Sequence, residues 1–251
     1  MSVFTFKDIQ TVGQVIAENE LYRHYHFPEM LSMYDSNFIE FKRIPSLDEF
    51  KQSAEYLRKF HKSRGQNHVK FYFPENQKPI KELMAYFREF CYDSGYLELY
   101  SIQPDHFPVV RKNSNLEVLQ VTEENFEAYL KLQYEEDLQF GEAFAKQKVG
   151  LHKWNFTDKN VMQVIAFYEG IPAGSVDVII SDKSVEIDNL SVLEACQRKG
   201  IGSALQRFVM DSFPDKPVIL VADGEDTARE MYRKQNYQYH GFQYEVQKVY
   251  E

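Results

Sequence analysis

The sequence predicts an α/β protein with mixed α+β sheets, arranged as an N-terminal and a C-terminal domain. Apolar runs of strand length alternate with amphipathic helical segments along most of the 251 residues. Hydrophobic residues make up 43% and charged residues 27%, a composition that excludes a disordered or fibrous chain. A polar stretch with two prolines at 103–115 is typical of a linker, so we place the domains at 1–110 and 114–251.

The net charge of −9 lies entirely in the second half of the chain. Residues 1–113 carry 15 basic and 15 acidic side chains, whereas residues 114–251 carry 14 and 23. Because an acidic protein binds polyanions poorly, we expect neither a nucleic-acid nor a membrane partner. The start of the chain lacks a secretory leader pattern, and no apolar run reaches the ~20 residues that cross a bilayer, which predicts a cytoplasmic location. Two distant cysteines predict neither disulfides nor a metal cluster.

The C-terminal domain is predicted to follow the order β-α-α-β-β-β-α-β-α-β, because each segment shows the apolar period of a strand or a helix. The strands are 116–121, 161–168, 171–180, 184–192, 218–221 and 239–250, and the helices are 123–148 (broken near Gly141), 200–213 and 227–235. The uninterrupted apolar run at 218–221 indicates a strand buried on both faces.

The N-terminal domain shows a weaker β-α-β-α-β pattern that parallels the end of the C-terminal domain. Its predicted elements are 38–44, 47–60, 68–73, 80–92 and 96–102. No residue-level repeat links the two domains, so a degenerate duplication is a hypothesis. Ser46 and Glu49 match a capping box at the first helix, which fills the N–H groups that a phosphate would need. We therefore expect no phosphate-binding cofactor site in this domain, which would instead shape a pocket of the other domain or mediate dimerisation.

The strand before the glycine-rich loop contains a phase slip. Val185 and Ile187 are apolar at odd positions. Leu190 and Val192 are apolar at even positions. One face can hold all four only if an extra residue is inserted near Asp188, which predicts a β-bulge. Such a bulge splays the strand from its neighbour and frees backbone N–H and C=O groups for a ligand.

The loop after this strand is rich in glycine and cations. It opens a helix directly and reads Gln197-Arg198-Lys199-Gly200-Ile201-Gly202. The glycines allow close backbone approach, and the N–H groups of the first helical turn favour an anion, as does the helix dipole. The loop therefore predicts a pyrophosphate site, and the alternative is a glycine-rich turn without a ligand.

Residues 116–250 resemble the GNAT superfamily of N-acetyltransferases. The loop is similar to that family's Q/R-x-x-G-x-G/A acetyl-CoA signature, 187–192 to its bulged fourth strand, and 228–237 to its A-x-x-x-Y-x-x-x-G-F helix. Two positions depart from the family. Glu225 stands where members usually carry an Asn that contacts the cofactor, and Asn236-Tyr237 replaces Gly-Phe.

The resemblance implies a GNAT fold in which strands 184–192 and 218–221 form a V-shaped cleft for acetyl-CoA as co-substrate, with no metal. The pantetheine arm would pair with the strand backbone at Leu190, Ser191 and Val192. The residues implied at the pyrophosphate end are Gln197, Arg198, Lys199, Gly200, Ile201, Gly202 and Ser203. Asp226 can substitute for the Asn that is missing at position 225.

The implied reaction is direct attack of a primary amine on the thioester in a ternary complex. An alkyl ammonium with a pKa of about 10.4 must first lose a proton, so a general base is needed. The family places a catalytic glutamate at the position of Glu186; Asp188 on the same strand face and a water chain are the alternatives. Tyr232 is implied as the acid that protonates the leaving thiolate.

A cluster of acidic residues suits a cationic acceptor. It lies on the helical region that borders the acceptor pocket in the family and consists of Glu135, Glu136, Asp137 and Glu142. An acidic rim attracts a cationic amine, and a solvated helix face is the alternative. A small polyamine, an antibiotic, an amino acid and a protein N-terminus all remain open as acceptors, and so does a homodimer.

Two other functions compete with the N-acetyltransferase. The first is a noncatalytic acyl-CoA-binding regulator, which Glu225 at the usual Asn position favours. The second is an aminoacyl transferase that works from charged tRNA, which the acidic charge and the CoA-type loop disfavour.

Overall fold

A computed structural model gives the structure of residues 4–225 and 228–250. The strands within these ranges are β1 Gln14–Glu18, β2 Tyr22–His26, β3 Phe38–Phe41, β4 His68–Tyr72, β5 Asp93–Ile102, β6 Leu116–Gln120, β7 Val161–Tyr168, β8 Ile171–Ile180, β9 Val185–Val192, β10 Val218–Asp223 and β11 Gln238–Val249. The helices are α1 Leu47–Lys62, α2 Lys81–Glu89, α3 Phe126–Asp137, α4 Glu142–Thr157, α5 Ile201–Ser212 and α6 Ala228–Lys234. None of the helices described here combines the length and the apolar character needed to cross a bilayer.

The chain forms two compact units that do not simply follow one another along the sequence. The first unit comprises the described parts of Met1–Leu99, Ala222–Arg229 and Tyr239–Glu251, and the second comprises Tyr100–Val221 and Glu230–Gln238. This division differs from the predicted boundary at 110–114, because the final strand joins the first unit. Chain order alone does not determine which strand a terminal strand will pair with.

The first unit is built on the strand order β1-β2-β3-β4-β11-β5. Strands β3 and β4 are parallel and are connected by α1, as the predicted β-α-β pattern requires. Strand β11 lies antiparallel to β4, with Val246 opposite Phe71. The hairpin β1–β2 is an addition to the predicted elements. A core rich in phenylalanine fills the unit, and its largest members are Phe41, Phe50, Phe71, Phe73 and Phe87.

The second unit is built on the strand order β10-β9-β8-β7-β6. Strands β6 to β9 are antiparallel neighbours, whereas β9 and β10 are parallel and are connected by α5. The predicted hairpin 161–168 and 171–180 is confirmed at both its strands. The predicted break near Gly141 is also confirmed, because α3 ends at Asp137 and α4 begins at Glu142.

Candidate functional site

The phase slip in β9 is a β-bulge. Ser191 lies opposite Ser175 of β8, and Asp188 lies opposite Asp177, so two residues of β9 face one residue of β8. Asn189 adopts the left-handed backbone conformation with a φ of 48°, which asparagine tolerates better than most residues. The structure therefore has the predicted bulge at the predicted place.

The bulge also coincides with the point where β9 and β10 part. Their recorded pairing runs from Val185↔Val218 to Ile187↔Leu220. Within the described residues it ends there, immediately before the bulge, while β9 continues to Val192. A parallel pair that stops in mid-strand leaves backbone groups on the open edge without a strand partner.

The open edge of β9 presents a backbone donor. The N–H of Leu193 donates to the Ala173 carbonyl of β8 at 3.0 Å. Because successive peptide groups of a strand point to alternate edges, the N–H group of Val192 points away from β8. The Gln197 side-chain amide lies 3.4 Å from the Val192 carbonyl oxygen and links this edge to the loop.

The loop after β9 ends in an uncapped helix. Gly200 is the N-cap of α5 with a φ of 86°, and no side chain caps this helix. Arg198 also has a positive φ, 61°. Alternation of left-handed residues along a loop turns consecutive N–H groups toward one side, which forms an anion-binding nest. The N-terminus of α1 is the contrast: the Glu49 N–H donates to Ser46 Oγ at 3.2 Å, and the Ser46 N–H donates to the Glu49 carboxylate at 2.8 Å.

A cavity of about 570 Å³ adjoins the start of α5. Lys199, Gly200 and Ser203 line one side of it. The segment 107–114, which includes Arg111 and Lys112, lines the other side. The Lys199 ammonium also lies 4.6 Å from the centre of the Tyr168 ring. The cavity thus combines helix N–H groups with three cationic side chains, a chemistry that favours phosphate.

The helix α6 carries the predicted tyrosine. Tyr232 is 8% exposed and packs against the rings of Tyr100 and Tyr237. The helix ends as predicted, with Asn236 in the left-handed conformation at a φ of 68°. The Tyr237 N–H donates to the Tyr232 carbonyl at 3.0 Å, which completes a Schellman-type ending. Asp226 lies outside the described residues.

The two candidate bases differ in their surroundings. Glu186 is 8% exposed and lies between paired strands, opposite Ile179 of β8 and Ile219 of β10. Asp188 is exposed and lies at the bulge, where β10 has already left the ladder. Both side chains share the face of β9 that also carries Ser191, as the alternation of the strand predicts. Asp188 is therefore the more accessible of the two.

The predicted acidic rim divides into exposed and buried residues. Glu135 and Glu142 are exposed and pair with Lys131 and Lys146 one helical turn away. Asp137 is 6% exposed and lies 3.3 Å from the His152 imidazole. The exposed pairs are those of a solvated helix face, whereas Glu136 is half-buried and Asp137 is buried.

The sequence did not reveal a buried polar group beneath the bulge. The Tyr129 hydroxyl donates to Asp177 at 2.5 Å, and Gln133 donates to Ser175 at 2.6 Å and accepts from Asn189 at 3.0 Å. The available signal was the presence of Ser175 and Asp177 at alternate positions of an otherwise apolar strand.

Comparison with known proteins assigns a family to the second half of the chain. A family model described as Acetyltransferase (GNAT) family matches residues 123–237. A second model, a domain of unknown function (DUF5613), matches residues 4–100. No curated protein matches the chain.

Solved structures share the fold over most of the chain or nearly all of it. One is a functionally unknown conserved protein from Staphylococcus epidermidis, with 33% identity and a TM-score of 0.90 over 99% of this chain and 98% of that one. A GCN5-related N-acetyltransferase from Kribbella flavida has 12% identity and a TM-score of 0.62, covering 94% and 89% of the two chains. A tandem GNAT protein from the clavulanic acid biosynthesis pathway has 9% identity and a TM-score of 0.53, covering 84% and 75%. The splayed bulge, the uncapped loop and the family model agree, and residues 123–237 form a GNAT acetyltransferase domain.

Proposed function

We propose that this chain transfers an acetyl group from acetyl-CoA to a primary amine by direct attack in a ternary complex. The observation that carries the proposal is the combination of an open strand edge at Leu190–Val192 with an uncapped helix at Gly200, in one unit. The first suits an extended amide-bearing arm, and the second suits a pyrophosphate.

Acetyl-CoA would lie along β9 and end at α5. Its pantetheine amides would hydrogen-bond to the outward backbone groups of the segment Leu190–Val192, as an added strand does. Its pyrophosphate would accept from the N–H groups between Arg198 and Ser203, and Lys199 adds a positive charge there. A backbone N–H of the bulge would stabilise the oxyanion that develops at the oxygen of the thioester carbonyl.

Asp188 is the base that the surroundings favour over Glu186. A base must reach the ammonium of a bound acceptor, and Asp188 is exposed where the strands part, whereas Glu186 is flanked by paired strands on both sides. The Asp188 carboxylate would accept one ammonium proton, the amine nitrogen would then bond to the thioester carbon, and the carbon–sulfur bond would break.

Tyr232 would protonate the leaving thiolate and would then take up the second proton that the acetylated nitrogen releases. Its hydroxyl is protonated at neutral pH because the ordinary pKa of tyrosine is about 10. The net reaction converts an ammonium ion and a thioester into an amide, a thiol and one proton, which leaves through the exposed Asp188.

The experiment is thiol release from acetyl-CoA, measured over a panel of primary amines, together with calorimetric binding of acetyl-CoA. We expect thiol release with at least one amine class, and amide product in equal amount. Replacing Lys199 by Ala should raise KM for acetyl-CoA several-fold with kcat unchanged, whereas Lys131→Ala on the solvated face of α3 should change neither. Binding without thiol release from any amine would instead identify a noncatalytic acyl-CoA-binding regulator, and absence of binding would overturn both functions.

A further inference from the structure

Four polar side chains form a continuous hydrogen-bonded network inside the second unit. The Tyr129 hydroxyl contacts Asp177 at 2.5 Å and the His152 Nδ1 at 3.4 Å. The His152 Nε2 contacts Asp137 at 3.3 Å. The exposed fractions of the four run from 0% to 6%. Burial of two carboxyls, an imidazole and a phenol costs free energy unless the groups hydrogen-bond to one another. Apolar side chains would fill the same space without that cost, so packing alone does not account for this cluster.

The Asp177 end of this network lies beside Asp188, the candidate base. Asp177 and Asp188 are directly opposite each other on β8 and β9. In an antiparallel pair, directly opposite side chains share a face with Cβ atoms about 5 Å apart. Burial raises the pKa of Asp177, and the Asp188 charge raises it further, against the lowering effects of His152 and the Tyr129 hydrogen bond. The two carboxyls therefore interact electrostatically.

We propose that Asp177 is a positioning residue that acts through Asp188, with its negative charge raising the proton affinity of Asp188 for the amine reaction. This inference rests on the proposed function. When the ammonium gives its proton to Asp188, the N–H bond breaks and an O–H bond forms. One negative charge then remains on the carboxyl pair, which the Tyr129 hydroxyl contacts at its Asp177 end, with the His152–Asp137 pair behind it.

Four ionisable groups that act on Asp177 come from three neighbouring elements. Tyr129 comes from α3, His152 and Lys148 from α4, and Asp188 from β9. The neighbouring hydrogen bonds of Gln133 with Ser175 and Asn189 contain no titratable group. They hold the bulge to α3 without changing its charge, and this makes Ser175 a matched control on the same face of the same strand.

The test compares the pH dependence of kcat/KM for Asp177→Asn, Tyr129→Phe and the double variant with that of the wild type, using one amine throughout so that its own ionisation cancels. We expect the acid limb to move to lower pH by about one unit in Asp177→Asn, because Asp188 loses its like-charged neighbour, with kcat reduced about tenfold.

Tyr129→Phe should move the acid limb in the same direction, because Asp177 then loses a hydrogen-bond donor that stabilises its ionised form. The double variant should resemble Asp177→Asn, because both changes remove one coupling. Ser175→Ala should leave the limb in place.

The outcomes separate this inference from the proposed function. A wild-type protein that transfers no acetyl group overturns the proposed function and this inference with it. An active wild type whose folded Asp177→Asn and Tyr129→Phe variants keep the wild-type acid limb overturns the role of Asp177 alone. Because Tyr129→Phe removes a single oxygen atom, it preserves the packing of α3 and keeps the test decisive if Asp177→Asn fails to fold, which circular dichroism would show.

Discussion

At the scale of single residues, the second unit places unusual backbone conformations where the candidate site lies. Asn189 at the bulge, Arg198 and Gly200 in the loop, and Asn236 after α6 all have positive φ. Two are asparagines and one is glycine, which are the residues that accept this conformation at least cost. The bulge and the loop are therefore encoded locally as well as by packing.

The two glycines of the loop give a matched pair of substitutions. Gly200 has a φ of 86°, so Gly200→Ala strains the backbone although its Cβ meets no atom within 4 Å. At Gly202 a Cβ would contact Val192 at 3.8 Å, an ordinary distance, and no positive φ is required. We expect Gly200→Ala to lose about 1 kcal/mol of unfolding free energy and to weaken acetyl-CoA binding, whereas Gly202→Ala should be close to neutral. Denaturant unfolding and calorimetry on both variants check this, and equal effects would contradict it.

Tyr232 offers a second prediction at this scale. Tyr232→Phe removes the hydroxyl proposed to protonate the thiolate and retains the ring that packs against Tyr100 and Tyr237. We expect kcat to fall by about 10²-fold with acetyl-CoA affinity nearly unchanged. Steady-state kinetics with calorimetric binding measures both quantities, and near-normal turnover would remove Tyr232 from the mechanism.

At the scale of elements, the sequence predicted local backbone features better than it predicted contacts between distant elements. The odd-to-even slip of apolar residues located the bulge, and the left-handed ending of α6 followed from Asn236, because both depend on a few neighbouring residues. The contacts around Asp177 could not be predicted, since Tyr129 and His152 come from two helices whose approach to β8 depends on tertiary packing. The pairing of β11 with β4 was missed for the same reason.

Three histidines from neighbouring elements of the first unit predict acid sensitivity. His24 of β2, His61 of α1 and His68 of β4 are at most 1% exposed. Burial lowers the pKa of His24 and His68 to about 3 and that of His61 to about 4, from an ordinary 6.5. Below pH 6.5 these histidines therefore bind protons in the unfolded chain but not in the folded chain. Because the unfolded state binds more protons, the free energy of unfolding falls as the pH drops from 6.5 toward 4.

Denaturant unfolding between pH 7 and pH 4.5 measures this effect. We expect His68→Gln to reduce the slope of the unfolding free energy against pH by the equivalent of about one proton. His106→Gln, at an exposed position, should leave that slope unchanged. A wild-type unfolding free energy that stays constant across this range would contradict the prediction.

At the scale of the whole molecule, the two units have related strand patterns but differ at the N-termini of the helices α1 and α5. Strand β3, helix α1 and strand β4 form a parallel β-α-β unit, as do β9, α5 and β10. Ser46 and Glu49 cap the N-terminus of α1. Arg43 pairs with the Glu49 carboxylate and, together with the Ser46 N–H, lowers the pKa of Glu49 to about 2. The N-terminus of α5 has neither a cap nor an acidic residue in its first turn. A phosphate is therefore expected at α5 and is repelled at α1.

Calorimetric titration of the chain with acetyl-CoA tests this account most directly. We predict one equivalent bound per chain, with affinity that weakens in Gly200→Ala and is unaffected by Ser46→Ala at the N-terminus of α1. Two equivalents per chain, or no binding at all, would contradict the assignment of a single nucleotide site to the corner between β9 and α5.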